Sequence, residues 1–352
     1  MANIREVAKR AGVSIATVSA VLTQKRPVSP ELTQRVREAC RELDYYPNAL
    51  ARAIFSDGSK MIAFLVPTIA NPGFSKSLLG VEAVADERGY VVFVANTRGL
   101  EEKADAFLER LFELRVDGVI ISLTHELVRP EFLQRLQKRG IHTVGISAAR
   151  ETDLIDCFLG DEESSGRDLG RYLIMLGHVK CAYIAPKGSA TGERRLKGLK
   201  RAYSEAGLTI DPNLIVDSPS YDADGGAKAA QALLARAESF TAVIVFNDYL
   251  AAGVLLQFAS QGLHVPRDIS VATFGDNYAR LTNPPLTAMH YPEEEVGRIA
   301  AEALLDRIEG RRSGPPQTKY IPIRLMIRQS TRALPDRDPD PFRTGSSTAK
   351  LS

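Results

Sequence analysis

At 352 residues, with 44% apolar and 25% charged side chains, the chain has the length of two or three domains and an ordinary globular composition, which excludes a collagen, a coiled-coil rod and a largely disordered protein. Its formal net charge is only +2, from 45 Lys and Arg against 43 Asp and Glu, and taken whole it does not resemble a nucleic-acid binder. Charge is spread unevenly, however: residues 1–60 carry ten bases and six acids, a net of +4, which leaves the remainder at −2. A basic head on a slightly acidic body suggests a polyanion partner for the head alone, although many helices carry a solvated basic face.

Three widely spaced cysteines (Cys40, Cys157, Cys181) form no CxxC pair, so the chain reads as a protein of a reducing compartment rather than a disulfide scaffold. The five histidines show neither HxH nor HExxH spacing, so no metal site or cofactor is expected. Met1-Ala2-Asn3-Ile4-Arg5-Glu6 opens no signal-peptide core, and no apolar run reaches the about 18 residues of a membrane span. These features predict a cytoplasmic protein with no membrane partner.

In the head, Ile4, Val7, Ala8 and Ala11 recur at helical spacing, with Asn3 as N-cap, Glu6 completing a capping box, and Gly12 as the stop. Val13 is an apolar plug, Ser14 caps a second helix to Leu22, and Lys25, Arg26 and Pro27 form a basic loop. Ser29-Pro30 opens a third helix to Leu43. Helix, Gly-containing turn, helix at this pitch fits a DNA-reading helix-turn-helix; spacing and charge alone fit a plain three-helix core equally well.

The residues themselves separate the two. Ile4-Arg5-Glu6-Val7-Ala8-Lys9-Arg10-Ala11-Gly12-Val13-Ser14-Ile15-Ala16-Thr17-Val18-Ser19, followed at the right distance by Tyr45-Tyr46-Pro47-Asn48-Ala49-Leu50-Ala51-Arg52, closely resembles the head and hinge entry of the LacI/GalR family of transcriptional repressors. The resemblance puts Ile15, Ala16 and Ala20 where the family reads base edges. All three are apolar, so they can touch thymine methyls but cannot make bidentate bonds to guanine or adenine. Ser14, Thr17 and Ser19 are left as hydroxyl donors to phosphate, with Lys25 and Arg26 adding phosphate contacts. Ile4, Asn48 and Ala51 complete the implied DNA-facing set. Asn48 to Ile54 spans barely two helical turns, too short to hold alone. The resemblance implies that it folds on DNA as a pair, with Ile54 wedged into the minor groove at a flexible pyrimidine–purine step; the alternative is Ile54 packed on the body.

From residue 61 short apolar runs alternate with amphipathic helices. Strands are expected at 61–66, 90–95, 118–123, 142–146, 157–159, 181–185, 213–216, 242–246 and 269–274. Helices are expected at 73–88, 101–114, 130–139, 163–176, 192–206, 225–236 and 250–261. Such alternation means parallel sheets covered on both faces, and its length exceeds one comfortable core, so two lobes are expected with a ligand cleft at their strand ends. Each lobe is Rossmann-like in pattern, yet GxGxxG, GxSxG, P-loop and HRD motifs are all missing, so neither dinucleotide binding nor catalysis is expected.

Asn71-Pro72-Gly73-Phe74, Arg115-Val116-Asp117-Gly118-Val119-Ile120, Leu176-Gly177-His178, Arg195-Leu196-Lys197-Gly198, Phe246-Asn247-Asp248 and Pro285-Leu286-Thr287 extend the resemblance to the family's periplasmic-binding-protein-like core. It implies an all-α helix-turn-helix head at 1–47, a hinge helix and linker at 48–60, and an α/β body of two Rossmann-like lobes with parallel sheets at 61–334. The lobes would be about 61–160 with 291–322, and 161–290 with 323–334. The Pro-, Asp- and Ser/Thr-rich tail, 335–352, is expected to be disordered and carries no leucine heptad for a tetramer.

The implied effector pocket comprises Phe74, Ser75, Ser147, Thr191, Arg195, Phe246, Asn247 and Gly275, with Asp276 beside it. Arg195 suits a carboxylate, a phosphate or vicinal hydroxyls, the alternative being a salt bridge between lobes. Phe74 fits a stacking role or ordinary core equally. Members binding neutral sugars or purines often have Asp where Ser147 and Gly275 stand, so the loss of two acids beside Arg195 suggests an anionic sugar derivative. The whole implies a dimeric repressor on a palindromic double-stranded operator, controlled by a sugar or sugar-derived effector. The rivals are a solute-binding protein without DNA function, which would lack residues 1–60 as they stand, and an enzyme on an α/β scaffold.

Overall fold

A computed structural model of the chain describes residues 2–23, 26–45, 58–123, 127–148 and 152–335, with the side chains at 23, 147 and 148 outside that description. Lys25, Asn48, Ala51, Ile54 and the tail from 336 onward therefore lie outside the described residues.

The head is three helices around one small core. α1 (Ile4–Ala11) begins with a reciprocal cap: Asn3 Oδ1 accepts the Glu6 N–H, and the Glu6 carboxylate accepts the Asn3 N–H. It ends at Gly12, which takes the left-handed conformation, φ 66°. α2 (Ile15–Thr23) and α3 (Pro30–Glu42) follow. Val7, Ala8, Ala11, Val18, Val21, Val36 and Ala39 close the core. Arg35 of α3 reaches over the α1–α2 turn and donates through Nη2 to the Ala11 carbonyl at 2.7 Å. A Cβ on residue 12 would come within 2.6 Å of that nitrogen, so glycine there serves both the turn and the arginine lying on it.

The body holds two six-stranded sheets of the same winding. β1 (Met61–Val66), α4 (Pro72–Glu87), β2 (Val91–Asn96), α5 (Glu101–Leu114), β3 (Gly118–Leu123), α6 (Pro130–Lys138), β4 (His142–Ala148) and β5 (Asp156–Gly160) come first. Next come α7 (Glu162–Met175), β6 (Cys181–Pro186), α8 (Ala190–Glu205), β7 (Ile215–Ser218), α9 (Ala223–Leu234), β8 (Ala242–Val245), α10 (Asp248–Ser260), β9 (Ser270–Phe274) and β10 (Thr287–His290). The chain closes with α11 (Glu293–Ile308), β11 (Thr318–Ile321) and β12 (Arg324–Met326). The first sheet runs β11-β5-β4-β3-β1-β2, all parallel. The second runs β12-β10-β9-β8-β6-β7, parallel except for the β12 edge. The chain thus passes from the first sheet to the second after β5, returns after β10, and crosses again between β11 and β12.

β1 and β3 are buried along their full length, as central parallel strands with both faces covered must be. Helices pack on these faces with their backbones in contact. A Cβ on Gly80 of α4 would sit 1.9 Å from the Glu294 carbonyl of α11. A Cβ on Gly166 of α7 would sit 2.1 Å from the Arg195 carbonyl of α8, and one on Gly198 would sit 1.9 Å from the Glu163 carbonyl. Among the described residues no helix is long and apolar enough to cross a membrane, and no cluster of His, Cys, Asp or Glu is arranged to hold a metal.

Two readings need correction. The strand expected at 213–216 opens instead as a 3-10 turn, Pro212–Leu214, because Pro212 has no N–H to pair and the Asp211 carboxylate caps the Asn213 N–H. The segment 287–326, for which sequence periodicity predicted no element, contains β10, α11, β11 and β12. Three of these are strands of three or four residues, too short to show a period.

His178 ties the C-terminal segment to the second sheet. It is fully buried; Nε2 donates to the Arg332 carbonyl at 2.9 Å and Nδ1 accepts from the Thr241 hydroxyl at 3.0 Å. Burial lowers its pKa. The unfolded chain therefore takes up protons as pH falls through about 6.5 while the folded chain does not, so stability declines below that value. Melting temperature followed from pH 7.5 to 5 should fall, and His178→Gln should start lower at pH 7.5 and show a shallower slope.

Candidate functional site

The head presents one face of α2. Ser14 caps the helix: its Oγ accepts the Thr17 N–H at 3.1 Å and contacts the Thr17 hydroxyl at 2.9 Å. Ile15 is 46% exposed and Ala16 is exposed, while Thr17, Ser19 and Ala20 are partly covered. An isoleucine and an alanine at the open end of a helix, flanked by hydroxyls, form a surface able to meet thymine methyls and phosphates. Arg26, three residues beyond the end of α2, is exposed. Ile4, placed in the DNA-facing set, is half-buried against the head core, which gives it a packing role.

In the body, both sheets have the order in which the first strand lies between the second and the third, and ligands bind beyond the strand ends where this order reverses. The loops and helix starts after β1, β6 and β8 carry Phe74 and Ser75, Thr191 and Arg195, and Phe246 and Asn247; those after β9 carry Gly275 and Asp276. Ser147 stands in β4, its side chain outside the described part.

Arg195 is enclosed on several sides. Nε donates to Glu162 Oε2 at 2.6 Å, Nη1 donates to the Phe246 carbonyl at 2.6 Å, and the guanidinium lies 4.9 and 4.4 Å from the Phe246 and Phe274 ring centroids. Its partner is on α7, in the same half of the body, so the ion pair does not join the two lobes. Nη2 makes no bond to the described residues. The α7–α8 contact through Gly166 and Gly198 is what holds this pair together: it brings the first turn of α7, with Glu162, against the second turn of α8.

The other predicted residues divide. Asn247 is spent on structure: Oδ1 caps the Leu250 N–H at 2.6 Å and Nδ2 donates to the Tyr221 carbonyl at 3.1 Å. Asp276 is bound to Arg328 at 2.7 Å, with His290 at 3.5 Å. Gly275 has φ 80°, and the buried Asp248 carboxylate lies 3.4 Å from where a Cβ at 275 would be. Asp248 accepts the Tyr278 and Ala279 N–H groups, while burial raises its pKa. Ser75 donates to the Ile69 carbonyl at 3.1 Å, and Phe74 is half-buried against the first sheet's core.

Two carboxylates that motif positions did not indicate also belong to the cleft. Glu162 is one. The other is Glu293, at the start of α11, 9% exposed, and bonded at 3.2 Å to the Asn277 amide across from the second lobe. The sequence signal for Glu162 was available in principle, since an arginine buried in a cleft needs a counter-charge; for Glu293 the run Glu293-Glu294-Glu295 reads only as an acidic first turn. Both carboxylates stand at helix starts, Glu162 in the first turn of α7 and Glu293 in the first turn of α11.

An exposed reading helix on a compact head, joined to two doubly wound lobes with polar groups at their switch points, defines a DNA-binding regulator with a ligand-sensing body. Residues 3–48 match bacterial regulatory proteins of the lacI family, and residues 171–331 match the periplasmic binding protein-like domain. The HTH-type transcriptional repressor PurR of Vibrio atlanticus is 35% identical over 316 residues, covering 88% of this chain and 93% of the relative. The lac repressor dimer bound to operator and the anti-inducer ONPF superposes with a TM-score of 0.83 at 25% identity, covering 94% of this chain and 99% of that one. The transcriptional regulator CelR in its cellobiose complex gives 0.70 at 28% identity, covering 94% and 100%. The chain belongs to the LacI family of bacterial regulatory proteins and is a DNA-binding transcriptional regulator.

The helix contact beneath Arg195 gives a direct test. Gly198→Ala forces a methyl against the Glu163 carbonyl, which should cost about 1–3 kcal/mol of stability, read as a lower melting temperature, whereas alanine at exposed Gly207, which ends α8 at φ 68°, strains only a turn.

Proposed function

We propose that the chain is a cytoplasmic repressor that binds a palindromic operator as a homodimer and is controlled by a small polar effector, sugar or sugar-derived, held between its lobes. The observation that carries the DNA half is the exposed Ser14–Ile15–Ala16 end of α2 on a packed head. Support for the sensing half comes from polar groups of both sheets gathered at the switch points. In this reading residues 1–47 are the DNA-binding unit, 48–60 the hinge, 61–334 the sensor and 335–352 the tail. The sensor's halves are about 61–160 with 291–322 and 161–290 with 323–334. Asn48, Ala51 and Ile54 act in the hinge, and the chain works by binding rather than by catalysis.

A dimer is supported by two exposed apolar surfaces. β2 is an open edge strand presenting Val91, Phe93 and Val94, with Leu79 of α4 nearby in sequence. On α10, Tyr249 and Leu256 are seven residues apart and share a helix face; Leu256 is 68% exposed and Leu281 73%. Patches of this kind mark interfaces, and a two-fold dimer matches two reading helices to two half-sites.

Selection of binding sites from random duplex DNA by the full chain should yield an inverted repeat. On that site Ile54→Ala should lose affinity and DNA bend together; an unchanged bend removes the wedge. Leu256→Asp should sediment as a monomer at concentrations where the parent chain is a dimer, and should bind the selected site more weakly while melting within a few degrees of the parent.

A further inference from the structure

The effector reading leaves one charge unexplained. The Glu293 carboxylate is buried at 9% exposure, yet among the described residues no cation lies within ion-pair distance of it. Lys76 and His290 act on it only at longer range, and burial pushes its pKa up. Two arginines of the cleft are already matched, Arg195 by Glu162 and Arg328 by Asp276. A buried carboxylate without a counter-charge is costly and persists where something else compensates it.

Two partial compensations are visible. A Cβ on Gly73 would lie 3.4 Å from Glu293 Oε1, so the carboxylate rests against the first turn of α4, whose N-terminal end favours negative charge. Asn277 Nδ2 donates to the same oxygen at 3.2 Å. Neither neutralises it. Near this carboxylate are two buried polar atoms with no hydrogen-bond partner among the described residues, Asn277 Oδ1 and the Tyr291 hydroxyl. Tyr291 is within electrostatic reach of both Glu162 and Glu293. Asn277 Oδ1 can only accept, the tyrosine can accept or donate, and the carboxylate accepts. The set lies where the chain crosses from β10 to α11, with Asn277 from one lobe and Glu293 from the other.

We propose that Glu293 is the specificity-determining residue of the cleft and selects an effector bearing a protonated nitrogen, an amine or amidine whose N–H groups bond Glu293, Asn277 Oδ1 and the Tyr291 hydroxyl. The inference rests on the effector reading above and gives its ligand a charge opposite to the one suggested by the missing acids at 147 and 275. A cation here supplies a counter-charge that the described residues do not, and is held by both lobes at once, so its binding favours the arrangement in which Asn277 and Glu293 are close.

The test uses the full chain and two matched sets of probes: glucosamine, glucose and glucuronate; and putrescine, 1,4-butanediol and succinate. Thermal shift and calorimetry at pH 7 should show binding by an amine and none by its neutral or acidic counterparts. Glu293→Gln should weaken that amine by about tenfold or more, the value of a charge-assisted bond, and should melt no lower than the parent without ligand, because it removes an unpaired buried charge. Equal binding by a neutral or acidic probe, amine binding unaffected by Glu293→Gln, a marked loss of stability in ligand-free Glu293→Gln, or no response to either amine would each overturn the proposal. Release of the selected DNA site is measured in parallel. A neutral or acidic probe that binds and changes DNA affinity sinks the amine specificity and keeps the effector reading; an amine that binds through Glu293 without changing DNA affinity does the reverse.

Discussion

The contact on which the sensing body depends is backbone against backbone between paired helices. Gly166 and Gly198 remove the two side chains that would hold α7 and α8 apart, and Gly80 with Gly297 does the same for α4 and α11. Each contact delivers a carboxylate to the cleft, Glu162 from the first turn of α7 and Glu293 from the first turn of α11. The two elements are equivalent in another respect: each is the helix that follows a crossing between sheets. Helix starts tolerate acids because of their exposed N–H groups, so a fold that crosses its lobes into helix N-termini places negative charge beside the cleft as a by-product of its topology.

That placement governs the electrostatics more than the strand-end positions do. Arg195 is fixed by Glu162, a backbone carbonyl and two aromatic rings, leaving one guanidinium nitrogen unbonded by the described residues. A clamp held so rigidly loses little entropy when a ligand takes the remaining donor. Asp276, by contrast, is committed to Arg328 in the closing segment of the chain, and Asn247 to capping α10. Residues that a family resemblance places in one pocket thus separate into those holding the pocket's walls and those facing its contents.

Periodicity made the alternation of the body legible up to β9, since buried parallel strands are continuous apolar runs and their helices keep a 3.6-residue period. The head was legible almost to the residue, because Asn3, Gly12, Ser14 and Ser29-Pro30 are local signals whose meaning does not depend on distant parts of the chain. Glu162 and Glu293 were not legible for the opposite reason. Each lies next to acids of similar appearance, and only the tertiary contact decides which one is buried: Glu293 is at 9% while Glu294 and Glu295 are exposed. The short strands β10 to β12 escaped because they are made by their neighbours rather than by their own sequence.

The near-zero net charge also has a physical consequence under the proposed function. The head's +4 acts at the DNA, and a body at −2 does not add to it, so non-specific attraction stays modest and site selection rests on fit. If Ile15, Ala16 and Ala20 face the bases as proposed, their apolar side chains can make few hydrogen bonds to them, and discrimination by the head alone would be weak. Specificity must then draw on paired heads and on deformation of the DNA between them, both of which depend on dimer geometry. Under the proposed function a regulator built in this way is well suited to control by its body: an effector that shifts the lobes at Asn277 and Glu293 would act on the spacing of the heads, and by reciprocity the operator would act on effector affinity by the same factor.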